Sequence, residues 1–118
     1  MRIEEAIRQF RRAAIEKADF ARPASRDHAL HAAMASAWLV LEDHGVAGRD
    51  AFASLLWDES VHVRGWAAAQ LLALGDERAV PSLEADSEAT GLPGLSAKTV
   101  LQEWRAGRLK PPLGERGA

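Results

Sequence analysis

Histidine and carboxylate side chains are the residues that could do metal or catalytic chemistry here, because the sequence contains no cysteine. His28 and His31 are three residues apart on a predicted helix, and Asp27 precedes them. This is the smallest set that could bind a metal ion from one helix face. Only the distant His44 and His62 could supply a further ligand. We therefore predict no metal site.

Catalytic motifs are also missing from the sequence. Asp43 and His44 could form an acid–base pair, but they stand at a predicted helix end, where a histidine complements the helix dipole. No serine lies in a nucleophile-elbow motif, and no glycine-rich loop follows a predicted strand. We predict that the protein is not an enzyme and needs no cofactor.

One helix face is the strongest candidate for binding. The predicted helix that begins with SVHVRGWAAAQLL carries an apolar stripe formed by Val63, Ala67, Leu71 and Leu74. His62, Trp66 and Gln70 recur at four-residue steps on a different face of the same helix. Tryptophan is over-represented among binding hot spots. We predict a protein-binding surface at these three residues, and the alternative is that the N-terminal helices cover it.

The composition predicts that these side chains lie on helices, because alanine and leucine are abundant and tyrosine is absent. Apolar periodicity, with stop signals at Pro23 and Gly45, predicts six helices. Their predicted bounds are residues 3–21, 25–44, 48–57, 61–75, 77–85 and 97–106, with Ser25 and Ser60 as N-caps. We predict one helical domain at residues 1–110 and a flexible C-terminal tail at residues 111–118.

The remaining tryptophans lie in strongly apolar helix patterns. Trp38, Trp57 and Trp104 are therefore predicted to pack in the core. Trp104, with Val100 and Leu101 before it, is typical of a terminal helix that closes a helical stack.

A repeat signal surrounds Arg64. Gly45 and Gly75 match at an offset of 30 residues, and Asp58 and Asp86 match at 28, a period typical of solenoids built from helix pairs. The unit DESVHVRGWAAAQL, with its Asp58, Ser60 and Val63-Arg64, resembles the inner half of a HEAT repeat. The resemblance implies a short all-α superhelix in which Asp58 and Arg64 form a structural ladder between neighbouring repeats. A charge beside an apolar run also needs a partner.

A longer segment is similar to a family of small bacterial proteins classed as a domain of unknown function. Its members join a HEAT-like helix pair to a final LxEWRxGxL helix, matched here by Leu101, Glu103, Trp104, Arg105, Gly107 and Leu109. The similarity covers residues 50–109, whereas the first fifty residues match only in being helical. After Asp86 the Val-Arg pair is missing. The family resemblance implies an immunity protein that neutralises a toxin.

Charge is distributed unevenly along the chain. The net charge is −2, but residues 42–94 carry ten acidic and three basic side chains, a net −7. The acidic candidates are Glu42, Asp43, Asp50, Asp58, Glu59, Asp76 and Glu77. Such a field steers basic protein partners, although a solvated acidic surface is the alternative. We predict a non-enzymatic protein-binding module, an immunity or adaptor protein that masks a basic partner through His62, Trp66, Gln70, Glu59, Asp58 and Asp43.

Two other functions are weaker alternatives. Some HEAT-like folds hold DNA in a basic groove, and Arg8, Arg11, Arg12, Arg22 and Arg26 would serve here, but the acidic centre argues against nucleic acid. An apolar face could instead make the protein a structural homodimer, so both monomer and homodimer remain open. The sequence shows no signal-peptide pattern and no apolar run of about 18 residues. We predict a cytoplasmic protein with no membrane association.

Overall fold

Every regular element in residues 1–19 and 23–115, the parts of the chain that this computed structural model describes, is a helix. The α-helices are α1 (Ile3–Lys17), α2 (Ala24–Asp43), α3 (Gly45–Ala53), α4 (Val61–Ala73), α5 (Ala79–Asp86) and α6 (Leu92–Arg105). A single 3₁₀ turn, Ser54–Trp57, follows α3 directly. The predicted all-α class is confirmed.

Three aromatic side chains form the centre of the core at the N-terminal end of the fold. The ring of Phe52 lies 4.9 Å from the ring of Phe10, edge to face, and 4.8 Å from the ring of Trp38. All three are fully buried. Because they come from α1, α2 and α3, this cluster joins those helices into one unit, and it places Trp38 where the sequence predicted.

The central element is α4, which contacts α1, α3, α5, α6 and the 3₁₀ turn. Its start follows the sequence prediction, since the Ser60 hydroxyl accepts a hydrogen bond from the Val63 N–H as an N-cap. Of the predicted stripe, Val63, Ala67 and Leu71 are fully buried, and Leu74, the C-cap residue of α4, is partly buried. Small side chains on this helix let its neighbours approach closely.

Some helix ends differ from the predicted bounds. Pro23 is the N-cap residue of α2, and Ser25 lies inside its first turn without a capping hydrogen bond. The sequence predicted that α6 begins at residue 97, but it begins at Leu92. Pro93 is tolerated in this first turn because the early N–H groups have no helical partner. Gly94 is required there, since a Cβ would lie 1.8 Å from the carbonyl oxygen of Ala89.

The C-terminal segment packs against the domain. Residues 111–115 were predicted to be a flexible tail, but Leu113 is 5% exposed and belongs to the core cluster. The domain therefore extends beyond the predicted boundary at residue 110. Residues 116–118 lie outside the described part of the chain.

Candidate protein-binding surface

Trp66 is half-buried beneath the two N-terminal helices. The Lys17 ammonium lies 5.3 Å from the centroid of the indole ring, a cation–π arrangement. The His31 ring stands edge to face against the same indole at 5.8 Å between centroids. Of the two alternatives for this residue, cover by the N-terminal helices is therefore the one the structure supports.

Gln70 is also covered, by a different part of the chain. Its side chain is completely buried. The amide nitrogen donates a 2.8 Å hydrogen bond to the Gly114 carbonyl, and the amide oxygen accepts a 2.9 Å hydrogen bond from the Leu113 N–H. The predicted face of His62, Trp66 and Gln70 is thus not one open surface, and among these three only His62 is exposed.

Asp58 pairs with α1. The Arg11 guanidinium donates two hydrogen bonds to the Asp58 carboxylate, at 2.7 and 3.1 Å. The side chain of Asp58 also accepts a hydrogen bond from the Ser60 N–H just before α4. These donors hold the pKa of Asp58 below its ordinary value, with Arg11 as the main cause. Asp58 anchors α1 to the start of α4, a structural role different from the predicted ladder with Arg64, and it is not an open binding residue.

Arg64 has a different partner from the one predicted. Its guanidinium makes three contacts of 3.0–3.2 Å with the Asp86 carboxylate. To Asp58 it donates one hydrogen bond, of 2.7 Å, and the acceptor is the main-chain carbonyl. The predicted Asp58–Arg64 ion pair is wrong, because Arg11 occupies the Asp58 carboxylate and leaves Arg64 to reach α5. Arg64 remains a structural residue.

The other predicted residues lie apart from that face. Asp43 is exposed in the last turn of α2, and Glu59 is exposed beside the N-cap of α4. Trp104 is half-buried and packs against the core cluster from α6, in keeping with its predicted structural role.

Trp57 is the surface feature that the sequence prediction missed. It was expected in the core, but its side chain is 65% exposed at the end of the 3₁₀ turn. Phe52, Leu55 and Leu56 occupy the buried side of this segment. Trp57 follows Phe52 by five positions and so lies roughly 140° away around a helix. That spacing was the available signal for its exposure.

The backbone on both sides of Trp57 is firmly held. The carbonyl of Leu56 accepts a 2.7 Å hydrogen bond from the buried hydroxyl of Ser82 on α5. The carbonyl of Asp58 accepts one from Arg64. Next along the chain, the Glu59 side chain is 91% exposed, with an Arg11 nitrogen at 3.8 Å. An exposed indole and an exposed carboxylate are therefore presented two residues apart on an ordered support.

Most of the predicted acidic field is already paired within the chain. Arg49 binds Glu42, and Arg78 binds both Asp50 and Asp76. The Arg78 guanidinium lowers the pKa of Asp76. These carboxylates are less available to a basic partner than their number suggests, whereas Glu59 remains almost fully open to solvent.

The candidate nucleic-acid residues are similarly occupied. Arg11 is bound to Asp58, and Arg26 makes a two-point contact with Glu16. Arg8 and Arg12 are exposed on α1, and Arg22 lies outside the described residues. Of the four candidate arginines among the described residues, two are thus engaged in ion pairs.

Two clefts of the described surface are lined by residues of α1, α2, α5 and α6. One, of about 240 Å³ between α5 and α6, is lined by charged side chains that include Glu84, Glu88, Lys98 and Arg105. The other, of about 340 Å³, lies between α1 and α2. Small-molecule sites are usually lined by apolar groups, so the charged lining of the first cleft does not fit that pattern. Within the described ranges, no three histidine, aspartate or glutamate side chains converge as metal ligands.

No family model matches the chain, and no curated protein or solved structure matches it either. The resemblances to the HEAT repeat and to the bacterial family therefore stay predictions. None of the helices in residues 1–19 and 23–115 combines the length and apolar character needed to cross a bilayer.

Proposed function

We propose that the protein is a non-enzymatic module that binds another protein, and that Trp57 and Glu59 form its docking point for a basic side chain. The observation that carries this proposal is the 65% exposure of Trp57 on a firmly held backbone. Burial of this exposed indole against a partner would be favourable, because it would remove a large apolar area from water. Tryptophan is also the residue most enriched among interface hot spots.

The chemistry of the pair favours a basic partner. The face of an indole attracts lysine and arginine cations. A carboxylate beside it adds charge-assisted hydrogen bonds. Glu59 can supply them because its side chain is 91% exposed, even with an Arg11 nitrogen in ion-pair contact at 3.8 Å. The net −7 of residues 42–94 adds long-range attraction for the same class of partner.

The two arginine–aspartate pairs support a HEAT-like arrangement in this proposal. Arg11 reaches Asp58, 47 residues later, and Arg64 reaches Asp86, 22 residues later. Asp58 and Asp86 are the aspartates that match in the predicted repeat, and each accepts hydrogen bonds from an arginine on another helix. In this proposal the protein is an adaptor or immunity protein of the cytoplasm that masks its basic partner.

The test is binding of a purified partner to single variants. A partner is first obtained by co-purification from the native host and identified by mass spectrometry. We expect Trp57→Ala to weaken binding at least about tenfold, as hot-spot truncation does. We expect Glu59→Gln to weaken it less and to reduce its salt dependence. Affinities come from calorimetry at two salt concentrations.

A matched control is Val46→Ala, which removes an apolar side chain that is 78% exposed on α3. It should leave the affinity unchanged. If Trp57→Ala binds the partner as tightly as the wild type, Trp57 is not the docking point. If the purified partner proves to be a nucleic acid, the protein-binding function itself is excluded.

A further inference from the structure

The cleft between α1 and α2 is bounded at both ends by polar contacts. At one end, the Gln9 side-chain amide donates a 2.9 Å hydrogen bond to the Ala33 carbonyl. At the other end, the Arg26 guanidinium binds the Glu16 carboxylate through two contacts of 2.5 and 2.9 Å. Gln9 and Glu16 are seven residues apart on α1, which is about 10 Å along a helix axis. The cleft lies between these two contacts.

The lining of this cleft is mainly apolar. Ala13 and Leu30 line it and are only 3% and 4% exposed, and Ala29 and Ala33 contribute from α2 as well. Its volume is about 340 Å³. Small-molecule sites have volumes of roughly 300–1,000 Å³ and combine an apolar lining with a few polar groups. The cleft between α1 and α2 fits that description, whereas the charged cleft between α5 and α6 does not.

Arg12 lines this cleft, is exposed, and has no hydrogen bond or ion pair with any described residue. The carboxylate one helical turn later, at the i+4 position where an arginine commonly finds a partner, is Glu16. Both of its oxygens accept hydrogen bonds from Arg26 on α2. The two end contacts set a register in which residues 29 and 30 lie opposite Arg12, and alanine and leucine side chains cannot accept a hydrogen bond. The Arg12 guanidinium is therefore available to a ligand in the cleft.

The charge of the lining selects the charge of the ligand. Arg12 and Arg26 are positive and Glu16 is negative, so the lining carries a net +1. Arg26 balances Glu16 and uses its Nε and one Nη nitrogen to do so, which leaves its other Nη nitrogen as a free donor. The planar guanidinium group matches the two oxygens of a carboxylate. A net +1 is complementary to one such group, which favours a monocarboxylate over a doubly charged phosphate ester.

We propose that the cleft between α1 and α2 binds a small organic acid, a free monocarboxylate with a short apolar body. Its carboxylate accepts hydrogen bonds from Arg12, and its apolar body covers Ala29 and Leu30. The first contact is charge-assisted, and the second removes apolar area of both ligand and protein from water. The site uses neither Trp57 nor Glu59, so this inference is independent of the proposed function.

The experiment titrates hexanoate into the full-length wild-type protein at constant ionic strength and follows the backbone amide signals by NMR. We expect saturable shifts at residues 9–16 and 26–33. Hexanamide keeps the apolar body without the charge and should bind about tenfold more weakly. Acetate keeps the charge with only a methyl group and should bind at least about tenfold more weakly. The absence of saturable shifts with hexanoate, or equal binding of hexanamide, would overturn the proposal.

Two arginine variants then locate the carboxylate, after circular dichroism has shown that each is helical. Arg12→Gln should weaken hexanoate binding about tenfold, because a charge-assisted hydrogen bond is lost. The matched control is Arg8→Gln, which changes another exposed arginine of α1 that does not line the cleft, and it should leave the affinity unchanged. Trp57→Ala should also leave it unchanged, which separates this site from the proposed docking point. An unaltered affinity in Arg12→Gln, or equal losses in both arginine variants, contradicts recognition by Arg12.

Discussion

Trp57 and Trp66 stand nine residues apart, on either side of the Ser60 cap, and their environments are opposite. Lys17 and His31 cover the indole of Trp66. The indole of Trp57 is 65% exposed at the end of a 3₁₀ turn. The covered tryptophan was the predicted binding residue, and the exposed one was predicted to be core.

The environment of Trp66 is set by residues far away in the chain, and that of Trp57 by its near neighbours. Trp66 is covered because α1 and α2 bring Lys17 and His31 over α4, and neither residue is near it in sequence. Trp57 is exposed because the buried side of its own segment is already filled by Leu55 and Leu56. Position on a helix face therefore indicates which residues share a side, and tertiary packing decides whether that side is covered.

The largest expected effect is a contrast in stability between two matched substitutions. Trp66→Ala should lower the free energy of unfolding by about 3 kcal/mol, because it removes a half-buried aromatic side chain and the contacts of Lys17 and His31. Trp57→Ala should change it by no more than about 0.5 kcal/mol, as is usual for an exposed side chain. Guanidinium unfolding followed by far-ultraviolet circular dichroism measures both.

Equal losses from the two substitutions would contradict the contrast. A large loss from Trp57→Ala alone would mean that its indole is packed in solution. Acrylamide quenching gives an independent check, because Trp57→Phe should remove the most accessible part of the tryptophan fluorescence. Trp66→Phe should leave that part in place.

Local features of the fold could be predicted from the sequence. The capped start of α4 at Ser60 and its buried stripe of Val63, Ala67 and Leu71 follow from neighbours three and four residues apart. The same holds for the all-α class. These features depend on periodicity and capping, which are properties of a short segment, and they are the ones that the structure confirms.

The pairing of Arg64 could not be predicted in this way. Asp58 was the nearest carboxylate in sequence, but Arg11 competes for it from α1, and that competition exists only once α1 has docked. The burial of Gln70 could not be predicted either, because its partners, residues 113 and 114, come close to it only in the folded chain. In contrast, the turn at residues 111–114, which the Gly114 N–H closes by donating to the Pro111 carbonyl, had a local signal in its two prolines and its glycine.

A second prediction concerns Arg64, which lies between Trp57 and Trp66 in the sequence. Its guanidinium holds the Asp58 carbonyl beside Trp57, and its own position is two residues before Trp66. Arg64→Met should lower the free energy of unfolding by about 2 kcal/mol, because the partly buried Asp86 carboxylate loses its partner. Urea unfolding measures the loss.

The matched control for Arg64 is Arg108→Met. Arg108 also makes a two-point contact with one carboxylate, that of Glu103, but the two side chains are 65% and 38% exposed. Exposed ion pairs contribute little to stability, so the control should have the smaller effect. If both variants lose the same stability, burial of the Arg64 pair does not set its contribution.

The smallest expected effect is a pH dependence at Asp58, the residue that follows Trp57. Because Arg11 holds the pKa of Asp58 below its ordinary value of 3.8, the unfolded chain takes up this proton at a higher pH than the folded chain does. The pair therefore contributes fully at pH values well above 3.8. Its contribution falls as the pH drops through 3.8 towards the lower pKa of the folded state.

Arg11→Gln separates this effect from general acid unfolding. The stability difference between wild type and variant should be constant from pH 7 to about pH 5 and shrink below about pH 4. Arg8→Gln, which changes an exposed arginine one turn earlier on α1, should show no such trend. Urea unfolding at a series of pH values measures the differences. If the Arg11→Gln difference stays constant down to pH 3, the carboxylate pair does not anchor α1 beside Trp57, and the rigid support of that tryptophan then rests on Ser82 and Arg64 alone.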